Sequence, residues 1–242
     1  VYYTNFNVEF KEDASPLTLA DRKAHDIISL ALKDTGIPVL SEEGRAIPYE
    51  ERKNWKQLWV VDPLDGTKEF VKKNDEFTVN IALIENNHPV MGVVYAPVLD
   101  EMFVGEKSIG AYKISNASNA GDPEGQLINK NKIPRKNERN YYAVVASRSH
   151  LNAETTDFID EIKKEHEEVR IVSKGSSLKL CMVAEGVADV YPRFAPTSEW
   201  DTAAGHAVVV ASGAKVVQAM NEEKELEYNK ENVLNPWFIV RR

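Results

Sequence analysis

The sequence predicts an α/β protein in two halves: an α+β half over residues 1–137 and an α/β half over residues 138–242. Three observations predict it. Apolar runs at 78–84 and 90–95 flank Asn86-Asn87, as the arms of a hairpin do. From Tyr142 onward, short strand-like runs alternate with longer helix-period segments, the pattern of an α/β layer. Between them, residues 113–140 are polar, rich in Asn, Lys and Gly, and carry Pro123 and Pro134. That stretch is either a boundary between the halves or a long hairpin.

Each element follows in order. Residues 8–10 read as a short strand, and Lys11-Glu12-Asp13-Ala14-Ser15-Pro16 as a polar turn. Thr18 is an N-cap for a helix with apolar Ala20, Ala24, Ile27, Ile28 and Ala31, stopped at Gly36. Residues 37–40 are extended and run into Ser41-Glu42-Glu43-Gly44, and 45–57 are charged, an expected irregular and mobile loop. Leu58-Trp59-Val60-Val61 is a buried strand, and 102–104 adds another after the hairpin. In the second half, strands are expected at 142–146, 169–172, 188–191 and 214–218, and helices at 153–168, 176–185 and 202–212.

Composition narrows the function. With 242 residues, 43% hydrophobic and 28% charged, the chain has the make-up of an ordinary globular protein. No apolar run approaches the ~18 residues of a membrane helix, and no signal-peptide pattern opens the chain, which does not begin with Met. The single cysteine, Cys181, excludes an internal disulfide and, set in an apolar segment, reads as core filler. A net charge of −8 argues against a nucleic-acid binder. It does not exclude a phosphate ligand if clustered acids hold cations that attract it.

Such a cluster is suggested at residues 59–70. A buried strand empties into Asp62-Pro63-Leu64-Asp65, followed by Gly66-Thr67 at a helix start. Asp, Pro and Gly also make ordinary surface turns. The apolar run before them favours instead the C-terminal end of a strand, where α/β folds bind ligands. There Asp62, Asp65 and the Leu64 carbonyl offer the all-oxygen set that Mg²⁺ takes. Gly66 lets a phosphate approach unpaired backbone N–H groups, and Thr67 either orients a water or merely caps the helix. Glu42 and Glu43 could be solvated loop acids, Asp201 a helix cap, and Asp21 a first-turn acid; each could also complete the site. None of the five histidines (His25, His88, His150, His166, His206) pairs at zinc-ligand spacing.

The order and wording of these blocks resemble the lithium-sensitive, Mg²⁺-dependent phosphatases related to inositol monophosphatase. Matching blocks lie at 11–21, 40–43, 59–70, 147–150, 175–179 and 200–205, nearly the whole chain. Lys68-Glu69-Phe70, Ser147-Arg148-Ser149-His150 and Gly175-Ser176-Ser177 with Lys179 resemble the bacterial 3'(2'),5'-bisphosphate nucleotidases within them. The resemblance implies a layered αβαβα sandwich of the sugar-phosphatase type, with most of the family's first helix lacking. It implies two or three Mg²⁺ per site, one held by Glu42, Asp62 and the Leu64 carbonyl, a second by Asp62, Asp65 and Asp201. Thr67, bonded to Asp21, would position the nucleophilic water, and Lys11 would support that pair or a weaker metal. Glu42, Leu64, Asp65, Gly66, Thr67 and Asp201 would surround the phosphate, with Ser176, Lys179, Arg193 and His150 taking the rest of a nucleotide. Lys179 and Arg193 could equally be ordinary surface charges, and His25 stands where some inositol-type relatives carry Glu.

By the same resemblance, the substrate is adenosine 3',5'-bisphosphate, with its sulfated form as a second substrate, and the setting sulfur metabolism. The alternatives are a phosphatase of inositol or another sugar, and a non-catalytic Mg²⁺/phosphate-binding regulator. A cytoplasmic enzyme is implied, or one attached peripherally at the inner membrane as some relatives are.

Overall fold

A computed structural model of the chain describes residues 1–4, 8–10, 16–122, 124–135, 138–146 and 151–242. Its elements are β1 (Val8–Phe10), β2 (Pro16–Thr18), α1 (Leu19–Lys33), β3 (Val39–Ser41), α2 (Tyr49–Arg52), β4 (Gln57–Asp65) and α3 (Thr67–Lys72). Next come β5 (Thr78–Glu85), β6 (His88–Ala96), β7 (Glu101–Glu106), β8 (Gly110–Ser115), β9 (Lys132–Ile133), β10 (Tyr142–Val145) and α4 (Ala153–Glu165). The chain ends with β11 (Val169–Val172), α5 (Leu178–Glu185), β12 (Val190–Arg193), α6 (Glu199–Ala211), β13 (Lys215–Gln218), β14 (Asn221–Glu225) and β15 (Phe238–Arg241).

Two larger sheets result. The first has seven strands in the order β3-β4-β5-β6-β7-β8-β9, antiparallel except for the parallel pair β3–β4. The second has six in the order β11-β10-β12-β15-β13-β14, with β10, β11 and β12 parallel. Helices α5 and α6 pack against each other, with α6 on the first sheet and α5 on strands of the second. Helix α1 lies on β3 and β4, and α4 on β12. The layers therefore run αβαβα.

Amphipathic alternation drives this stacking. In β5 every second residue, from Thr78 to Ile84, is buried, and this face meets α6. Helix α6 approaches unusually closely because β6 and β7 present glycines to it. A Cβ at Gly92 would lie 2.4 Å from the Ala204 carbonyl oxygen, and one at Gly105 2.4 Å from the Val208 Cα. One hydrophobic cluster runs from Leu58, Val60 and Ala82 through Leu180, Val183 and Val208 to Val216 and Phe238, joining both sheets. A second, around Ile159, Ile162, Val190 and Ile239, seats α4.

Several expectations are corrected. Residues 45–57 are not an irregular loop: Tyr49–Arg52 is helical and Gln57 opens β4. Arg52 is 3% exposed and reaches Asn229 Oδ1 at 3.0 Å and the Glu231 carbonyl at 3.1 Å, so a charged residue that looked solvated is a core tie. Within the polar stretch, Lys132–Ile133 pairs antiparallel with β8, so the chain returns as a long hairpin as far as Ile133. Pro16, expected to end a turn, instead opens a strand, Pro16–Thr18, that pairs with β1, while Thr18 is the N-cap of α1 as expected. Helix α5 starts later than expected because Ser176 takes φ 55°. Helix α6 starts earlier, at Glu199, because Ser198 is the N-cap and Asp201 closes a capping box with it. The strand expected at 188–191 lies at Val190–Arg193. Strands β14 and β15 were not expected: β14 is a fully exposed polar edge, whereas the Phe238-Ile239-Val240 run of β15 is a strand signal that was not read. Lys11 and His150, with the Ser147–His150 block, lie outside the described residues.

Candidate active site

The parallel pairing of β3 and β4 sets Ser41 opposite Val61, and Glu42 N–H donates to the Val61 carbonyl at 3.1 Å. Glu42 is thereby delivered beside Asp62. On the other edge of β4, Asp62 pairs with Asn80 and Asp65 with Thr78, and the register shifts between the two aspartates. That irregularity turns residues three apart toward one place. Helix α6 brings Asp201 to them. Asp62, Asp65 and Asp201 each offer an oxygen within 4.8 Å of the other two.

The three carboxylates are held differently. Asp62 is 1% exposed; its Oδ1 accepts from Leu64 N–H at 3.0 Å, while its buried Oδ2 has no hydrogen-bond donor among the described residues. Asp65 Oδ2 is crowded with donors: Ser177 N–H at 2.6 Å, Ser177 Oγ at 2.7 Å, Ser176 Oγ, and more distantly Thr78 Oγ1 and Asn80 Nδ2, each at 3.4 Å. Asp201 Oδ2 accepts the Ser198 N–H at 2.7 Å.

Packing these charges together is costly. Burial, then repulsion from Glu42, Asp65 and Asp201, drives the Asp62 carboxyl well above the usual range. Burial, then Asp65, raises Asp201 to about 7, although the Ser198 N–H opposes the rise. A fully buried carboxylate oxygen with no donor, beside two more carboxylates, is unfavourable without a counter-ion. The donor set is all oxygen and fits a hard divalent cation such as Mg²⁺.

Gly66, in the left-handed region at φ 89°, is the N-cap of α3, and no side chain caps that helix. Thr67 is therefore not the cap. Its hydroxyl lies 3.2 Å from Asp21 Oδ1 and 3.4 Å from the Leu64 carbonyl. Asp21, 2% exposed, is fixed through Oδ2 by Thr18 N–H at 2.8 Å and Thr18 Oγ1 at 2.6 Å. The first-turn acid of α1 thus both closes a capping box and orients Thr67.

Asp65, Gly66 and Asp201 line a cleft of about 440 Å³ together with Lys68, Glu69, Ser176, Lys179, Tyr191 and Arg193. The aspartates therefore share a cleft with cations. Lys179 Nζ donates to the Ser176 carbonyl at 3.1 Å, and burial lowers its pKa against the pull of Asp65. Arg193 donates to the Pro196 carbonyl at 3.1 Å, while its buried Nε lacks an acceptor among the described residues. The Ser176 hydroxyl is engaged with Asp65 and, at 2.6 Å, with Thr78 Oγ1. His25 Nδ1 lies 2.9 Å from Ser41 Oγ, next to Glu42 in sequence. Trp200 packs on the main core.

The chain matches the inositol monophosphatase family over residues 1–237. It belongs to that family. It is 46% identical over 239 residues to the 3'(2'),5'-bisphosphate nucleotidase CysQ of Salmonella typhimurium, covering 95% of this chain and 87% of the relative. Identity to the Escherichia coli K12 nucleotidase CysQ is 44% over 243 residues, covering 97% and 88%. Among solved structures, CysQ from Bacteroides thetaiotaomicron superposes with a TM-score of 0.88 at 54% identity, covering 96% of this chain and 86% of that one. A staphylococcal inositol monophosphatase, at 18% identity and a TM-score of 0.73, covers 98% and 81% and shares the fold. As a member of the inositol monophosphatase family, the chain is a phosphatase with a metal-dependent site, and the layered fold is the family's own.

Sequence reading missed the polar bed of this family site. Thr78 and Asn80 are 0% and 1% exposed, on the face of β5 that otherwise carries Ala82 and Ile84. Polar residues at inward positions of an apolar strand were the available signal. Glu199 is fully buried and accepts from Asn229 N–H at 2.6 Å, Lys230 N–H at 2.9 Å and Lys230 Nζ at 2.6 Å. It anchors the first turn of α6, and nothing in its sequence context marked it.

Proposed function

We propose that the chain hydrolyses the 3'-phosphate of adenosine 3',5'-bisphosphate to give AMP and phosphate, with the sulfated nucleotide as a second substrate, in the cytoplasm and in sulfur metabolism. The observation that carries this reading is one cleft lined both by Asp65 and Asp201 of the carboxylate cluster and by two half-buried cations, Lys179 and Arg193. A simple monophosphate ester needs only the first set. A bisphosphate needs separate cations for its second charged group. The 44–46% identity to nucleotidases over most of the chain supports the same choice.

On this reading, residues 1–137 supply the metal-binding half and 138–242 the specificity half. Glu42, Asp62 and the Leu64 carbonyl would hold one Mg²⁺, and Asp62, Asp65 and Asp201 another. Such a pair, when bound, neutralises the phosphoryl oxygens and lowers the pKa of water to yield a nucleophile. The protein supplies the rest. Asp21 Oδ1 accepts the Thr67 hydroxyl proton, which leaves the Thr67 oxygen as an acceptor for the attacking water. Backbone N–H groups at Gly66 and Thr67 receive the phosphate, and Lys179 and Arg193 fix the remote phosphate so that the scissile ester is aligned. Lys11, Ser176 and His150 are assigned supporting contacts at the metals and the nucleotide.

The test is phosphate release from adenosine 3',5'-bisphosphate and inositol 1-phosphate, measured side by side with Mg²⁺. Preference for the bisphosphate supports the reading. Preference for the inositol ester overturns the substrate assignment while keeping the site, and release from neither, with Mg²⁺ present, overturns catalysis.

A further inference from the structure

Ser177 is neither one of the metal-set carboxylates nor one of the cleft cations, yet its hydroxyl ties two of those carboxylate residues together. Its Oγ lies 2.7 Å from Asp65 Oδ2 and 2.7 Å from the backbone carbonyl of Asp201, and it accepts Asn80 Nδ2 at 2.8 Å. Its own N–H donates to Asp65 Oδ2 at 2.6 Å. The residue is 2% exposed, at the N-cap of α5. Strand β4, strand β5, helix α5 and helix α6 therefore meet at one hydroxyl group.

The chemistry of that hydroxyl limits its role. It has one hydrogen and two acceptors, a carboxylate and a carbonyl, while Asn80 fills a lone pair. The backbone of Asp201 is held from this side, and its side chain from the other by Ser198 N–H. Asp65 Oδ2 is likewise committed to donors, so its second oxygen is the one left for a cation. We propose that Ser177 is a positioning residue that fixes the separation of Asp65 and Asp201 and so sets the affinity of the divalent cation they share. This rests on the metal-site reading above.

The test is titration of the metal-free protein with Mn²⁺, followed by electron paramagnetic resonance and calorimetry, for wild type, Ser177→Ala, Ser177→Cys and Ser177→Thr. Removing an outer partner of a ligand weakens metal binding by about tenfold or more. Ser177→Ala should therefore weaken one class of Mn²⁺ by that factor and leave the other within about twofold. The half-activating Mg²⁺ concentration should rise in parallel, turnover should recover at saturating Mg²⁺, and Ser177→Thr, which keeps the hydroxyl, should restore binding. Ser177→Cys, close in size, should behave as the alanine variant and serves if that variant does not fold. Wild-type Mn²⁺ affinity in the alanine and cysteine variants, with or without a lowered Tm, overturns the proposal alone. Equal weakening of both classes also overturns it. A wild-type protein that binds no Mn²⁺ overturns the metal-site reading itself.

Discussion

Replacing Asp201 with asparagine separates what the acidic site costs from what it does. In the metal-free protein, burial and then Asp65 raise the Asp201 carboxyl from 3.8 to about 7. Asparagine is nearly the same size, and its carbonyl oxygen still accepts the Ser198 N–H, so the capping box survives while the charge is lost. The sign follows from proton counting. An acid whose pKa is raised by folding holds more protons in the native state than in the unfolded one, so stability falls as pH rises between the two values. Below the unfolded value both states are protonated and nothing is lost; above about 7 both are ionised and the penalty is complete. At about 1.4 kcal/mol per pH unit, ionising Asp201 costs the metal-free fold roughly 4 kcal/mol. Urea denaturation in EDTA should then show Asp201→Asn more stable than wild type by several kcal/mol at about pH 8 and nearly equal to it at about pH 4. Adding Mg²⁺ should stabilise the wild type strongly and the variant weakly, since binding to the native state adds stability by mass action. Metal-free Asp201→Asn no more stable than wild type at the higher pH would refute the account of a repulsive cluster neutralised by cations.

Asp62→Asn should abolish turnover and weaken both Mn²⁺ classes in a titration; activity within a few-fold of wild type would remove Asp62 as the shared ligand. Thr67→Ala should lower kcat by about 10²–10⁴ while KM and Mn²⁺ affinity hold, because only the orientation of the water is lost. Lys179→Ala should raise KM for the bisphosphate by roughly tenfold or more and leave a simple monophosphate ester nearly unchanged, as expected for loss of a hydrogen bond to a charged group. Arg52→Ala should cost roughly 2–3 kcal/mol in urea denaturation, because Asn229 Oδ1 and the Glu231 carbonyl lose a buried donor.

Local signals in the sequence were enough to find the acids that converge but not the residues that hold them. Asp62 and Asp65 were legible because an apolar run ended on them, and Thr18 with Asp21 because a helix start is written in capping residues. The β5–β6 hairpin was legible from its turn, and the second half from its alternation. What stayed hidden depends on partners distant in sequence. Arg52 is buried by Asn229, 177 residues away, and in isolation a charged residue in a charged stretch reads as solvated. Ser176 and Ser177 reach Asp65 across more than a hundred residues, and no spacing rule points there. Asp201 was readable as an acid at a helix start, yet the true start lay three residues before the expected Thr202, because Ser198 rather than Asp201 is the cap.

The global charge of −8 and an anionic substrate are reconciled by where the charges sit. Asp62, Asp65 and Asp201 converge in one place, with Glu42 near enough to raise the pKa of both Asp62 and Asp201. A cation pair there would invert the sign of the local field, because a bound divalent ion is the largest charge in its surroundings. The same repulsion that raises these pKa values would then be relieved by a bound cation and contribute to its affinity. On the proposed reading, Lys179 and Arg193, which line the same cleft, would add positive charge there without any metal. Lys179 is lowered in pKa by burial despite the pull of Asp65, so an arriving phosphate would find a partly desolvated ammonium whose charge it stabilises. Acids and cations in this cleft share one principle, partly buried like charges that an opposite charge would stabilise. On the proposed reading, selectivity for a substrate with two anionic groups would follow from engaging both sets of charges.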